Sequence, residues 1–461
     1  MKCVPSIALA LALTISGCAQ NSSVAPSFPY AGRTAAGAPA PSLLRVSSAR
    51  LTSSIKHVVI IVQENRSTND LFNGLPGAYT VTSGKNSKNQ TVKLLAQTLT
   101  SPIDLSHKHS AYLTEYNNGQ MNGFDQVASS CQPGRKCPPR DVRAYAYVPE
   151  HGVKPYFDMA EQYAFADHMF ETNQGPSFPA HQYLLSGTST VSDGSSLRAS
   201  ENPLDPKGRH TGGCDAPKGT LVPLIDQYGN ENQSMYPCFD RNSLIQEIEA
   251  KHLTWHHYQV HAGPGLWHGP DAIKPVWSSP DYSTNVVWPP AQVISDVKAG
   301  QLANVVWVTP TSLASDHPGM TDGSGPSWVA SVVNAIGLSK YWQNTVIFVT
   351  WDDWGGWYDP VAPPQYNSYE DGFRVPLIAI SPYAKKGYVS TKRHEFGSLL
   401  KFTEEVFNLP SLGTTDVRSD DLADCFNFNQ RPRRFRLISA PLHADYFLRQ
   451  PVSNQSPDDD F

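Results

Sequence analysis

An uncharged run that ends at two adjacent carboxylates constrains this chain more than any other stretch: Thr345 to Pro360 reads TVIFVTWDDWGGWYDP. Its Thr, Val, Ile, Phe and Trp residues predict a strand buried on both faces, as found inside a largely parallel sheet. The end of such a strand lies at the carboxyl edge of the sheet, where open α/β folds hold their ligands. Asp352 and Asp353 come next, and Gly355-Gly356 lets the chain turn sharply and leaves room beside them. Two neighbouring carboxylates repel unless a cation lies between them or one takes up a proton. The pair therefore points to a divalent cation, against the plainer alternative of a solvated turn built with Asp.

A second apolar run, His57 to Val62 (HVVIIV), ends in the same way, in Gln63-Glu64-Asn65-Arg66-Ser67. Glu64 and Asn65 offer a carboxylate and an amide carbonyl. With Asp352 and Asp353 they make four oxygen donors for one divalent cation. On their own, Glu64 and Asn65 read equally well as a helix cap or turn. Asn69 to Gly74 is then the loop expected to close one side of the site. Further strands are predicted at Leu253 to Val260, Asn304 to Thr309 and Pro376 to Ser381, and helices at Ser327 to Trp342 and Glu395 to Phe407. This alternation is the α/β rhythm. Ser177 follows Gly175-Pro176 and opens a helix through Leu185, so it is either an N-cap or a hydroxyl held where helix N–H groups favour anions.

Glu64-Asn65-Arg66-Ser67, Gly175-Pro176-Ser177-Phe178-Pro179, and Asp352-Asp353 with its double glycine resemble the bacterial phosphoesterase family that includes secreted phospholipases C and an acid phosphatase. The resemblance is collinear from about Ile55 to about Phe435. It implies an alkaline-phosphatase-like α/β core with a single metal ion beside a hydroxyl nucleophile. By position, Glu64, Asn65, Asp352 and Asp353 match the metal ligands, and Ser177 matches a nucleophile that passes through a phosphoserine. His317 and His107 match family histidines that would protonate the leaving oxygen or bind phosphate, although His107-x-His109 leaves the choice of residue open. His257 is a third candidate, since His256 and His257 on one strand face opposite sides. Arg374 is expected in a structural ion pair, and His394, near a strand end, is given no role. Oxygen ligands suit calcium, magnesium or manganese, with zinc left open. The chain departs from the family at Ser67-Thr68-Asn69-Asp70, where an aromatic and an Asp-His pair are common, and at Trp354 and Pro360, where histidine is frequent. Trp351, Trp354, Trp357 and Tyr358 could either cage a choline group or pack.

The amino terminus reads as an export signal, with Ile15-Ser16-Gly17-Cys18 resembling a lipoprotein processing site that would lipidate Cys18 and tether the protein to the cell envelope; an ordinary cleaved signal is the alternative. Residues 19–54, rich in Ala, Pro and Ser, predict a flexible tether, residues 55–440 the folded domain and 441–461 a tail. A tail this short is expected to lack the extra carboxy-terminal modules of larger haemolytic phospholipases, which weakens a lipid-attacking role without excluding it. Cys131/Cys137 and Cys214/Cys238 could each close a loop in an oxidising compartment, leaving Cys425 free. A formal charge of −5 and no basic run give nothing to hold nucleic acid. The expected partner is a small phosphoester or a phospholipid. A sulfatase on the same core is a second reading, from Ser177-x-Pro179-x-His181, though His181 stands where sulfatases carry arginine. A non-catalytic lipoprotein binding a phosphorylated ligand is the third.

Overall fold

The computed structural model describes residues 45–453, all within one compact unit. The expected signal, Cys18 and most of the tether lie outside the described residues, as does the end of the tail. Eight strands form the central sheet: β1 (His57–Gln63), β2 (Ala164–Phe170), β3 (Trp255–Tyr258), β4 (Val286–Val287), β5 (Val305–Val308), β6 (Thr345–Trp351), β7 (Leu377–Ile380) and β8 (Tyr388–Glu395). Their order is β4-β3-β5-β1-β6-β7-β2-β8, and every neighbouring pair is parallel except the two that involve β7. This is the expected α/β fold with a largely parallel sheet.

β1 and β6 lie at the centre and pair in register, His57 opposite Thr345 and Gln63 opposite Trp351. Every residue of β6 is buried, and so is β1 after His57, which is why both read as continuous apolar runs. Because they end level, Glu64 and Asp352 leave the sheet side by side. The helices that cover the sheet include α1 (Arg45–Ser54), α2 (Lys154–Gln162), α3 (Ser177–Ser186), α4 (Gly325–Gly337), α5 (Phe396–Phe407) and α6 (Ala444–Leu448). Two of them correct the sequence reading. α1 occupies the last part of the expected tether, with Leu51 buried in the core, and α6 lies in the expected tail, with Phe447 edge-on to Trp328 at 5.4 Å. α5 opens with a capping box, Glu395 and Ser398 bonding each other's backbone.

Between α3 and β3 the chain forms a three-stranded sheet of Arg198–Ala199, Val222–Ile225 and Gln233–Met235. It builds its own apolar cluster around Phe178, Val222, Leu224, Phe239 and Trp267. Cys214–Cys238 and Cys131–Cys137 are disulfides, and Cys425 is free and buried. Among the described residues no helix is long and apolar enough to cross a membrane.

Candidate active site

Glu64, Asn65, Ser177, Asp352 and Asp353 come together at the carboxyl edge, each with 0% exposure. The turn after β1 puts Asn65 in the left-handed region at φ 61°, where its backbone N–H donates to Asp352 Oδ1 at 3.0 Å. The Asp353 N–H reaches the same oxygen at 2.8 Å. Asp352 Oδ2 has no hydrogen-bond partner, and neither does Asn65 Oδ1. The Asn65 Nδ2 donates to His107 Nε2 at 2.9 Å while His107 Nδ1 donates to the Leu105 carbonyl at 2.8 Å, so one neutral tautomer satisfies both contacts. Ser177 Oγ donates to Asp353 Oδ2 at 3.3 Å and lies 3.5 Å from Glu64 Oε2.

The double glycine makes this closeness possible. Gly355 and Gly356 both have positive φ; a Cβ on Gly355 would lie 2.2 Å from the Asn65 carbonyl oxygen and one on Gly356 2.5 Å from Leu105 Cβ. Only a residue without a side chain lets the β6 turn rest on both the Asn65 turn and the His107 loop.

Three buried carboxylates within reach of one hydroxyl need a positive partner. Burial holds the Asp352 carboxyl above the ordinary aspartate range. Two orphaned oxygens, Asn65 Oδ1 and Asp352 Oδ2, fit a hard divalent cation. Glu64, His181 and Asp352 also offer one ligand atom each within 4.8 Å of one another.

His181 was not among the residues expected to touch the cation. Its Nε2 lies 3.3 Å from Glu64 Oε1 and 3.8 Å from Asp352 Oδ2. The available signal was its i, i+4 spacing from Ser177, which puts both on one face of α3. A second unforeseen residue, Glu171, follows β2; both its oxygens lack partners, and burial, then Asp353 and Asp352, push its carboxyl well above the usual range.

The expected histidines separate. The rings of His107 and His317 lie 6.2 Å apart, with His107 Nε2 3.9 Å from Asp353 Oδ2, and His317 Nδ1 donates to the Pro318 carbonyl. His109 contacts Glu231 Oε1 at 2.7 Å, whereas His107 faces Asn65 and Asp353. His257 is buried on β3 with no hydrogen-bond partner at Nδ1; burial, then His181, lowers its pKa to about 3. His256, on the other face of β3, contacts the Tyr258 hydroxyl at 3.0 Å.

Three other expectations change. Ser177 is the first residue of α3 and Pro176 the N-cap; with the Phe178 N–H given to Asn202 Oδ1 and no N–H on Pro179, the helix end offers an anion few donors. The tryptophans pack and form no cage: Trp351 donates to Asp316 Oδ2, Trp354 to Glu115 Oε2, and Trp357 lies 5.1 Å from the Arg66 guanidinium, all three with 0% exposure. Asn69 is buried, its N–H donating to Asp359 Oδ2 and its Oδ1 accepting from the Val81 N–H, so it is part of the packed interior and not of an open loop. Arg374 is an internal ion pair with Asp359 and Asp167, as expected.

A profile of the Phosphoesterase family matches residues 55–410. A non-hemolytic phospholipase C of Pseudomonas aeruginosa is 23% identical over 87% of this chain and 62% of its own length. One of Burkholderia pseudomallei is 24% identical over 84% of this chain and 61% of its own. The chain therefore spans about three fifths of these curated relatives. Among solved structures, an alkaline phosphatase superfamily protein of Vibrio parahaemolyticus covers 80% of this chain and 70% of its own at 9% identity and TM-score 0.34, too low to carry an argument.

Proposed function

Because the chain belongs to the Phosphoesterase family, we propose that it hydrolyses phosphoric esters with Ser177 as nucleophile and one divalent cation held by Glu64, Asn65, Asp352 and Asp353. The observation that carries this reading is the position of Ser177 Oγ, 3.3 Å from Asp353 Oδ2 and 3.5 Å from Glu64 Oε2, among carboxylates that need a cation. A cation bound there lowers the pKa of the serine hydroxyl and polarises a phosphoryl oxygen. The protein's own groups do the rest. Asp353 Oδ2, 3.3 Å from the hydroxyl, takes its proton as Oγ attacks phosphorus; the bond from phosphorus to the ester oxygen breaks, a phosphoserine forms and the alcohol leaves. His317 stands beside His107 on the Asp353 side, and with its Nδ1 on the Pro318 carbonyl its Nε2 is the nitrogen that would give a proton to the leaving oxygen and later take one from the attacking water. His107 uses both nitrogens to hold Asn65 and the Leu105 carbonyl. Asn65, held by His107, would present its carbonyl oxygen to the cation.

The phospholipase C names of the relatives support a lipid substrate, but with every tryptophan beside the site packed inward, no choline cage backs that choice. The test is paired hydrolysis of p-nitrophenyl phosphate and phosphatidylcholine, before and after chelation, with Ser177→Ala. Chelator-sensitive turnover of either substrate that disappears in the variant supports the reading and identifies the ester class. Turnover that survives Ser177→Ala, or no turnover under any divalent cation, defeats it.

A further inference from the structure

A second group of ligating side chains lies on β8, the far edge of the sheet. β8 is three positions from β6, roughly 14 Å at ordinary strand spacing. His394 sits one residue before the end of β8, with its side chain 0% exposed. Facing it are Asp420 and Asp424 from the segment that follows α5, and one ligand atom of each of the three lies within 4.8 Å of the others.

The hydrogen bonds around His394 assign its protons. Ser390 Oγ donates to Asp424 Oδ2 at 2.6 Å, and the Tyr388 hydroxyl donates to the same oxygen at 3.0 Å. With its proton committed, Ser390 Oγ can only accept from His394 Nε2, 3.0 Å away. The neutral ring then carries its lone pair on Nδ1. That atom lies 3.2 Å from Asp420 Oδ1 yet makes no hydrogen bond, and Asp424 Oδ1 is likewise buried and without a partner. A lone pair and a carboxylate oxygen held this close repel unless a cation lies between them or the ring takes up a second proton, and the unpartnered Asp424 Oδ1 on the same side favours the cation. Ligand atoms around a tetrahedral zinc, at bonds of about 2.0–2.1 Å, stand about 3.3 Å apart. Lys392 Nζ, 3.3 Å from Asp420 Oδ2, and the Leu422 N–H, 2.9 Å from Oδ1, neutralise that carboxylate from outside without reaching His394.

We propose that His394, Asp420 and Asp424 form a second divalent-cation site, of zinc class, separate from the Ser177 site and completed by water. One imidazole and two carboxylates suit zinc better than calcium or magnesium. Its consequence is structural: it ties the 420–424 segment to a strand that has a sheet neighbour on one side only, β2.

The test counts zinc bound to chelator-stripped full-length protein by equilibrium dialysis and elemental analysis. Asp352→Asn disables the other ring, so zinc retained by that variant reports on this site alone. The expected result is one equivalent in Asp352→Asn, a rise in Tm on adding zinc, and loss of both in Asp352→Asn/His394→Gln. Asp352→Asn/Asp424→Asn, which alters a side chain at the rim, should lose them too while keeping the far-ultraviolet circular dichroism of the parent. Equal zinc in the parent and both double variants overturns the proposal. So does an Asp352→Asn protein that binds none, because His394 is then an imidazolium paired with two aspartates. Ester hydrolysis by His394→Gln should match the wild type.

Discussion

The Asn65 amide donates through Nδ2 to His107 Nε2, which leaves Oδ1 as the atom for a cation. His107 is thus a positioning residue, both its nitrogens being engaged. His107→Ala frees the amide to rotate, and loss of such a supporting contact costs roughly 10- to 100-fold in metal affinity. A chelator-buffered titration reads this directly, and unchanged affinity would show that the amide keeps its orientation without His107. Acid should act on the same ring through Asp352. Its carboxyl is raised above 3.8 by burial, so in cation-free protein its favourable contribution is present below pH about 3.8 and is lost as pH rises through the raised value. A cation binds the ionised form and reverses this. The Tm gain on adding cation should therefore be larger at pH 7 than at pH 5, and Asp352→Asn should remove most of that difference.

At the scale of elements, the Gly355-Gly356 turn fastens β6 to the turn after β1. Gly355→Ala places a methyl group 2.2 Å from the Asn65 carbonyl oxygen at φ 62°, so both backbone strain and displacement of Asn65 follow. The expected cost is on the order of 2 kcal/mol in stability, together with weaker cation binding; a lower Tm with cation affinity intact would separate strain from displacement. β1 and β6 were legible in the sequence because burial on both faces leaves an uncharged run that ends where the ligands begin. β2 was not. Its sequence AFADHMF carries Asp167 inside a buried strand, and only the fold supplies Arg374 and the Tyr79 N–H as partners. Glu171 was lost with it, having no strand to follow. β7 was visible as a strand, but its antiparallel direction depends on the irregular stretch 357–376 after the double glycine, which carries no helix to cross the sheet.

Over the whole molecule, the least legible part is the inserted region between α3 and β3, because its strands are short and its core is assembled from distant residues. Phe178, next to Ser177, is packed into that core beside Phe239 at a ring separation of 6.1 Å, and its N–H is held by Asn202. The insertion thus holds the first turn of α3 in place. Cys214–Cys238 pins it: the Cys214 N–H bonds the Asp271 carbonyl at 2.7 Å and the Phe239 N–H the Ala272 carbonyl at 2.8 Å, so the bridge joins two segments that share one neighbour. It closes a span of 24 residues against 6 for Cys131–Cys137. Loop entropy then assigns roughly 3 kcal/mol to the longer bridge and about 1 kcal/mol less to the shorter. The paired variant Cys214→Ser/Cys238→Ser should lose more stability in urea than Cys131→Ser/Cys137→Ser. It should also lose ester turnover at temperatures where its far-ultraviolet spectrum is still native, because the turn that carries Ser177 loosens before the sheet does. If turnover and global unfolding fall together in both variants, the insertion is a passive cover and α3 is positioned by the sheet alone.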